Sequence, residues 1–256
     1  MPLLPKERID LINRWYDQRM FLPGAQRHYS YSDFHNYGYW FPSTRSQRKA
    51  CENLMEKLLM FIPDKTGSIL DVACGKGATT RYLLKYYKPA QVTGINISAQ
   101  QLQRCRRNAP LCSFQLMDAT DLNFGDATFN DMICVEAAFH FNTRVDFLRE
   151  AARVLKPGGR LVLSDRLTAR WTTSKPLEVP TNYVKTIEDY RNLYLASGFE
   201  QVDIVDSTEE CFTRFCLHCL GRAQGRFGRG LMSRRAFEQI KSEWLWKSLR
   251  LNIMSL

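Results

Sequence analysis

Residues 69–80 read ILDVACGKGATT, and this run governs how the rest of the chain is organised. Ile69, Leu70 and Val72 make a short apolar strand around one acid, Asp71, and two glycines, Gly75 and Gly77, follow in the turn. Without a Cβ at those positions the backbone from Ala73 to Gly77 can approach a ligand, while the next helix offers free N–H groups. Such a turn holds an anion. Dinucleotide-binding folds share a bare G-x-G, but here the third glycine position, three after Gly77, is Thr80, and Asp71 precedes the turn where a pyrophosphate would be repelled. An amino-acid moiety fits the pattern better.

Outward from this turn, short apolar strands alternate with helices between Ser68 and Arg166: SILDVA, a helix after Gly77, QVTGINI, a helix from Ser98, SFQLMD, DMICVE, a helix through Phe147 and Leu155, and RLVLSD. The alternation predicts an α/β fold of Rossmann-like type, a doubly wound and mostly parallel sheet whose ligand lies at the carboxyl ends of its strands. Residues 1–67 read as an N-terminal cap, with a helix near Lys6 to Met20, an aromatic loop HYSYSDFHNYGYW at 28–40, and a helix over about Ser43 to Phe61. So many rings in one loop pack on the domain or wall an apolar pocket. Residues 68–207 form the core. Its second half is expected to hold a polar loop to Val184, a helix over Ile187 to Ser197 and a strand FEQVDIVD at 199–206; residues 249–254 are a poor candidate for a last strand. Residues 208–256 read as a basic helical extension or lid of two helices, roughly Thr208 to Gln224 and Ser233 to Arg250, joined by GRAQGRFGRG as a hinge.

The chain's 256 residues, 45% hydrophobic and 24% charged, suffice for one well-filled domain. MPLLPKERID turns polar before an apolar leader can form and no eighteen apolar residues run together, so a cytoplasmic protein is expected. Cys51, Cys74, Cys105, Cys112 and Cys134 read as small buried hydrophobes, and only Cys216 and Cys219 have knuckle spacing, so no metal is expected. The net charge is +10; from Cys211 onward nine Lys or Arg face only Glu238 and Glu243. With Trp244, Trp246, Leu249 and Leu251 interleaved, this tail reads as a solvated helical face, with contact to nucleic acid, an anionic membrane or an acidic substrate as the functional alternative. Should the sheet lack its last strand, a homodimer or the basic helices would cover the edge.

The run from 69 to 166 resembles the class I S-adenosylmethionine-dependent methyltransferases. Asp71, Ala73, Gly75 and Gly77 stand in that family's first motif, QVTGINIS in its second-strand position, FQLMDATDL in its third, and EAARVLKPGGRLVLSD in its later helix and fifth strand. The resemblance implies S-adenosyl-L-methionine as cofactor and S-adenosyl-L-homocysteine as product. It implies that the Ala73 to Gly77 backbone holds the methionine moiety, that Asp118 and Ala119 meet the adenine, and that Asn96, Ile97 and Gln101 border the ribose. Asn96 departs from the family's usual Asp or Glu, which accepts both ribose hydroxyls; the subgroup reading G-I-x-[IL]-S-x-x-Q commonly lacks that acid, and Gln101 completes its pattern. Tyr29, Tyr37, Tyr39 and Trp40 resemble an H-x-G-Y-W-like element that covers the cofactor, although Asn36 and Tyr37 intervene here between His35 and Gly38. Glu136 is expected at the cofactor's edge.

Methyl transfer from a sulfonium needs alignment, exclusion of water and, for a hydroxyl acceptor, a base. CVEAAFHF puts Glu136 and His140 at the sheet's carboxyl edge. Neutral imidazole, with an ordinary pKa near ~6.5, can accept a proton there. Asp165 ends the neighbouring strand and is expected to orient His140. In this pair the chain resembles O-methyltransferases that modify polyketide or sugar hydroxyls of secondary metabolism. The expected substrate is therefore a small, apolar or aromatic natural product. The closest rival is a C-methyltransferase of an isoprenoid, quinone or sterol. Base methylation of nucleic acid is disfavoured, because neither an N/D-P-P-Y/F run nor a Cys nucleophile beside Pro is present. A cofactor-binding protein without turnover is disfavoured by the intact glycines, Asp71 and His140.

Overall fold

Ser46, Ser98, Thr143 and Thr186 each sit in extended backbone just ahead of a helix, and each hydroxyl accepts a first-turn N–H, from Lys49, Gln101, Asp146 and Asp189 respectively. These caps satisfy donors the helices leave free and mark where α3 (Gln47–Leu59), α5 (Ala99–Asn108), α6 (Arg144–Val154) and α7 (Ile187–Ala196) begin. The computed structural model describes residues 5–168, 179–248 and 252–255. Ahead of α3 lie α1 (Pro5–Phe21) and α2 (Pro23–His28). The strands are β1 (Ile69–Val72), β2 (Val92–Asn96), β3 (Ser113–Leu116), β4 (Phe129–Val135), β5 (Leu155–Thr168) and β6 (Asn252–Ser255), with α4 (Ala78–Leu83) after β1.

The sheet runs β3-β2-β1-β4-β5-β6; its first five strands are parallel and β6 pairs antiparallel with β5. Side-chain alternation fills both faces. Leu70 and Val72 of β1 and Met132 and Cys134 of β4 join the core under α6 and α7, whereas Ile69 and Ile133 join the core under α3 and α4. The second core also takes in Phe34 from the N-terminal loop and Cys211, Phe212 and Cys216 from the C-terminal part, so all three regions of the chain meet in one apolar cluster. This is the Rossmann-like architecture with helices on both faces.

Three expectations change. Residues 199–206 form no strand beyond a single bridge at Asp206; the position beside β5 goes instead to Asn252–Ser255, which pairs Ser255 with Asp165. GRAQGRFGRG is mostly helix, because α8 (Arg214–Gly228) continues through three of its glycines after a π-turn at Glu209–Thr213. Buried Ala223 and the stacked rings of Phe227 and Phe237, 4.9 Å apart, outweigh the helix penalty of exposed glycines, about 1 kcal/mol each. The joint with α9 (Arg234–Ser248) shrinks to residues 229–233, where Gly230 has φ +68°. The polar loop at 169–178, Leu249 and Leu251 lie outside the described residues, as do the side chains of Trp244 and Trp246. No described helix is long and apolar enough to cross a membrane.

Candidate active site

The turn after β1 is built from left-handed backbone: Ala73, Gly75 and Gly77 have φ of 54°, 56° and 81°. A Cβ on Gly77 would come within 2.9 Å of the Cys105 backbone, whereas one on Gly75 would meet nothing nearer than Met20 Cε at 3.9 Å. The first glycine is therefore free toward the cleft and the second is pressed onto α5, leaving a cradle over Gly75 that any side chain would fill. That cradle fits the amino-acid end of S-adenosylmethionine. Asp71 turns away from it: buried, its carboxylate accepts the hydroxyls of Thr79 at 2.7 Å and Thr80 at 2.6 Å, and burial pushes it up to about 6 against their pull. It fixes the turn from behind.

At the end of β2 Asn96 makes three hydrogen bonds. Its amide donates to Gly75 O at 3.3 Å and Gln101 Oε1 at 3.1 Å, and its carbonyl accepts the Ser98 N–H at 3.0 Å. Ile97 O accepts from Asn13 Nδ2 at 2.9 Å. Past β3, Asp118 closes a local turn by accepting the N–H and hydroxyl of Thr120, both at 2.9 Å, beside buried Ala119. Tyr39 and Trp40 do not come over the turn. Tyr39 lies against Phe41 and Lys57, and Trp40 packs on Ala50, Phe215 and His218 with its indole N–H on Tyr37 O. The two intervening residues displace the element, so rings expected over the cofactor tie the N-terminal loop to α3 and α8.

Beyond β4 the chain turns sharply through Glu136, at φ 52°, into a short helical turn, Ala138–His140. Glu136 faces the N-terminal loop, its carboxylate accepting the Tyr37 N–H at 2.9 and 3.1 Å; burial pushes it up to about 8 against that hydrogen bond and Arg166. His140 Nε2 lies 2.6 Å from the hydroxyl of Tyr16, a ring that packs edge-on against His140 and His35. Burial raises the Tyr16 phenol far above its usual range and lowers His35 to about 3, so both are neutral at physiological pH. Phe139 adjoins the His140 ring at 4.3 Å and carries the Arg166 guanidinium on its face.

Asp165 has a different partner from the one expected. It is fully buried, and its Oδ2 accepts Arg144 Nε and Nη2, both at 2.9 Å, and Tyr190 OH at 2.8 Å. Oδ1 accepts the N–H groups of Phe139 at 3.1 Å and Arg166 at 2.8 Å. Among the described residues no hydrogen bond joins it to the imidazole; it steadies His140 through the backbone of the turn. A carboxylate inside the sheet needs a counter-charge, and Arg144, at the start of α6, is nearer than the histidine. Tyr16, Arg144 and Arg166 were missed from sequence because their partners lie far along the chain.

A family model described as a methyltransferase domain matches residues 70–163. The chain is 34% identical over 188 residues, 67% of each protein, to "O-methyltransferase cnsE" of Penicillium expansum. It is 26% identical over 228 residues, covering 80% of this chain and 74% of the relative, to the erythromycin 3''-O-methyltransferase of Saccharopolyspora erythraea. Among solved structures it resembles the [4+2]-cyclase SpnF with TM-score 0.74 at 20% identity, over 97% of this chain and 95% of that one, a likeness of fold alone.

Proposed function

Because the chain belongs to the S-adenosylmethionine-dependent methyltransferases, we propose that it methylates a hydroxyl oxygen of a small apolar or aromatic natural product, with His140 as the general base. One contact carries the reading: a hydroxyl, that of Tyr16, already sits 2.6 Å from His140 Nε2 at the carboxyl edge of the sheet. Burial keeps the proton on that phenol. A phenol donating to Nε2 selects the imidazole tautomer protonated at Nδ1, the form that can accept from a hydroxyl. An acceptor hydroxyl would take the place of Tyr16, or pass its proton through it.

When bound, S-adenosylmethionine supplies an electrophilic methyl group on a sulfonium. The Ala73–Gly77 backbone would hold its methionine end, Asn96, Ile97 and Gln101 would border the ribose, and Asp118 and Ala119 would meet the adenine. Asp165 and Arg144 hold the turn that carries His140, and Tyr16 and Phe139 pack on its ring. Glu136, which burial pushes up to about 8 and whose carboxyl faces the Tyr37 N–H, is not placed as a second base.

The aromatic lining supports a second reading, methylation at carbon of a prenyl chain or quinone ring. A cationic intermediate there would want an ionised carboxylate, and Glu136 held near 8 is a poor one. The test is turnover of a panel of hydroxylated aromatic and polyketide acceptors, with the methyl position read by NMR. His140→Gln should lower kcat by about 10²–10⁴ and leave S-adenosylhomocysteine affinity unchanged. An unaltered rate removes His140 from the chemistry, and a methyl on carbon transfers the function to the second reading.

A further inference from the structure

The end of β2 carries no carboxylate of its own. Asn96 spends its carbonyl on the Ser98 N–H, and Gln101 spends its own on the Asn96 amide. A ribose presents two adjacent hydroxyl donors, and two adjacent carboxylate oxygens are the usual complement to such a diol. The carboxylate at this strand end comes from another element. Asp17 of α1 accepts the Ser98 hydroxyl at 2.8 Å (Oδ1) and 3.0 Å (Oδ2) and the Gln101 amide at 2.7 Å (Oδ1).

The placement belongs to the whole helix. Asn13, Tyr16, Asp17 and Met20 stand at i, i+3, i+4 and i+7, one face of α1. That face meets Ile97 O through Asn13, His140 Nε2 through Tyr16, the β2 end through Asp17, and the cradle through Met20, whose carbonyl also accepts Lys76 Nζ at 3.0 Å.

We propose that Asp17 is the ribose-binding carboxylate of this methyltransferase, supplied by α1 in place of the acid that Asn96 replaces on β2. The proposal rests on the reading of the β2 end as the ribose subsite. Cofactor binding then fastens α1 over the cleft, because the same carboxylate joins the helix to the ligand and to Ser98 and Gln101.

Calorimetry with S-adenosylhomocysteine and its 2′,3′-dideoxy analogue tests it on wild type, Asp17→Ala, Asp17→Asn and Asp17→Ala/Asn96→Asp. Asp17→Ala should bind S-adenosylhomocysteine about ten- to a hundredfold more weakly and the dideoxy analogue as wild type does. Asp17→Asn should fall between, and the double variant, with the acid returned to β2, should regain most of the loss. Equal weakening toward both ligands would reduce Asp17 to a fastener of α1 and overturn the proposal, as would no weakening of either. Wild type that fails to bind S-adenosylhomocysteine would sink the cofactor assignment itself, a result distinct from the other two.

Discussion

Gly75 and Gly77 look alike in the sequence and are opposite in what a methyl group would do to them. At Gly77 an alanine would combine a left-handed φ of 81° with a 2.9 Å approach to the Cys105 backbone. Gly77→Ala is expected to lower the stability of the protein by about 1–3 kcal/mol, read from its urea midpoint. At Gly75 the added Cβ meets only Met20 Cε, at an ordinary contact distance of 3.9 Å, so Gly75→Ala should cost stability only about 1 kcal/mol for its φ of 56°. It should weaken S-adenosylhomocysteine about tenfold or more by standing in the cradle, a loss of about 1.4 kcal/mol or more of binding energy. If the two variants bind and unfold alike, the turn does not divide its labour as described. The glycines themselves were legible because only Gly suits such backbone cheaply. Which one faces the ligand was not, since that depends on α5 lying behind Gly77.

Among the elements, β5 and α6 are joined by Arg144 and Asp165, 2% and 0% exposed at the side chain. Removing one partner of a buried pair strands the other charge. Arg144→Met is therefore expected to destabilise by about 3–5 kcal/mol in chemical denaturation, and Arg144→Met/Asp165→Asn to recover part of it; a single-variant loss below about 1 kcal/mol would show that the pair does not carry the turn. Asp165 was legible as an acid beside the His140 turn, but neither its place inside β5, which runs on to Thr168, nor its partner was, because a carboxylate and a histidine near neighbouring strand ends read as an orienting pair until the guanidinium is seen. The strands of the sheet were legible because each is a short apolar run between turn residues. The last strand was not, since residues 199–206 carry the better strand pattern and residues 252–255 hold the place beside β5. The glycines of 221–230 read as a joint because local propensity ignores Ala223 and Phe227, whose packing keeps them helical. α1 was legible as a helix, but Asn13, Tyr16 and Asp17 gain meaning only from partners some eighty or more residues away.

At the scale of the molecule, the groups that titrate pull its stability in two directions. Burial holds His28 and His218 at about 4 and His35 at about 3, below the 6.5 of an unfolded histidine. The unfolded chain then binds more protons as pH falls below 6.5, so their contribution is complete above that value and is lost toward their folded values. Glu136 and Asp71 work the other way. Raised from 4.5 to about 8 and from 3.8 to about 6, they favour the fold at low pH and lose that advantage as pH climbs through those windows. Melting temperature is expected to peak near pH ~6.5, its acid limb flattened in His28→Gln and its alkaline limb flattened in Glu136→Gln. Limbs unchanged in both variants would mean that neither group is held in its neutral form. One further consequence follows from how α1 is attached. Its grip on the domain is largely a row of polar contacts, at Arg8, Asn13, Tyr16, Asp17 and the Met20 carbonyl, with the buried Met20 side chain at its end, so it can peel away link by link. The spent nucleoside then departs by undoing a row of buttons, and the pace of the catalytic cycle should slow in viscous solvent even where the chemical step is untouched.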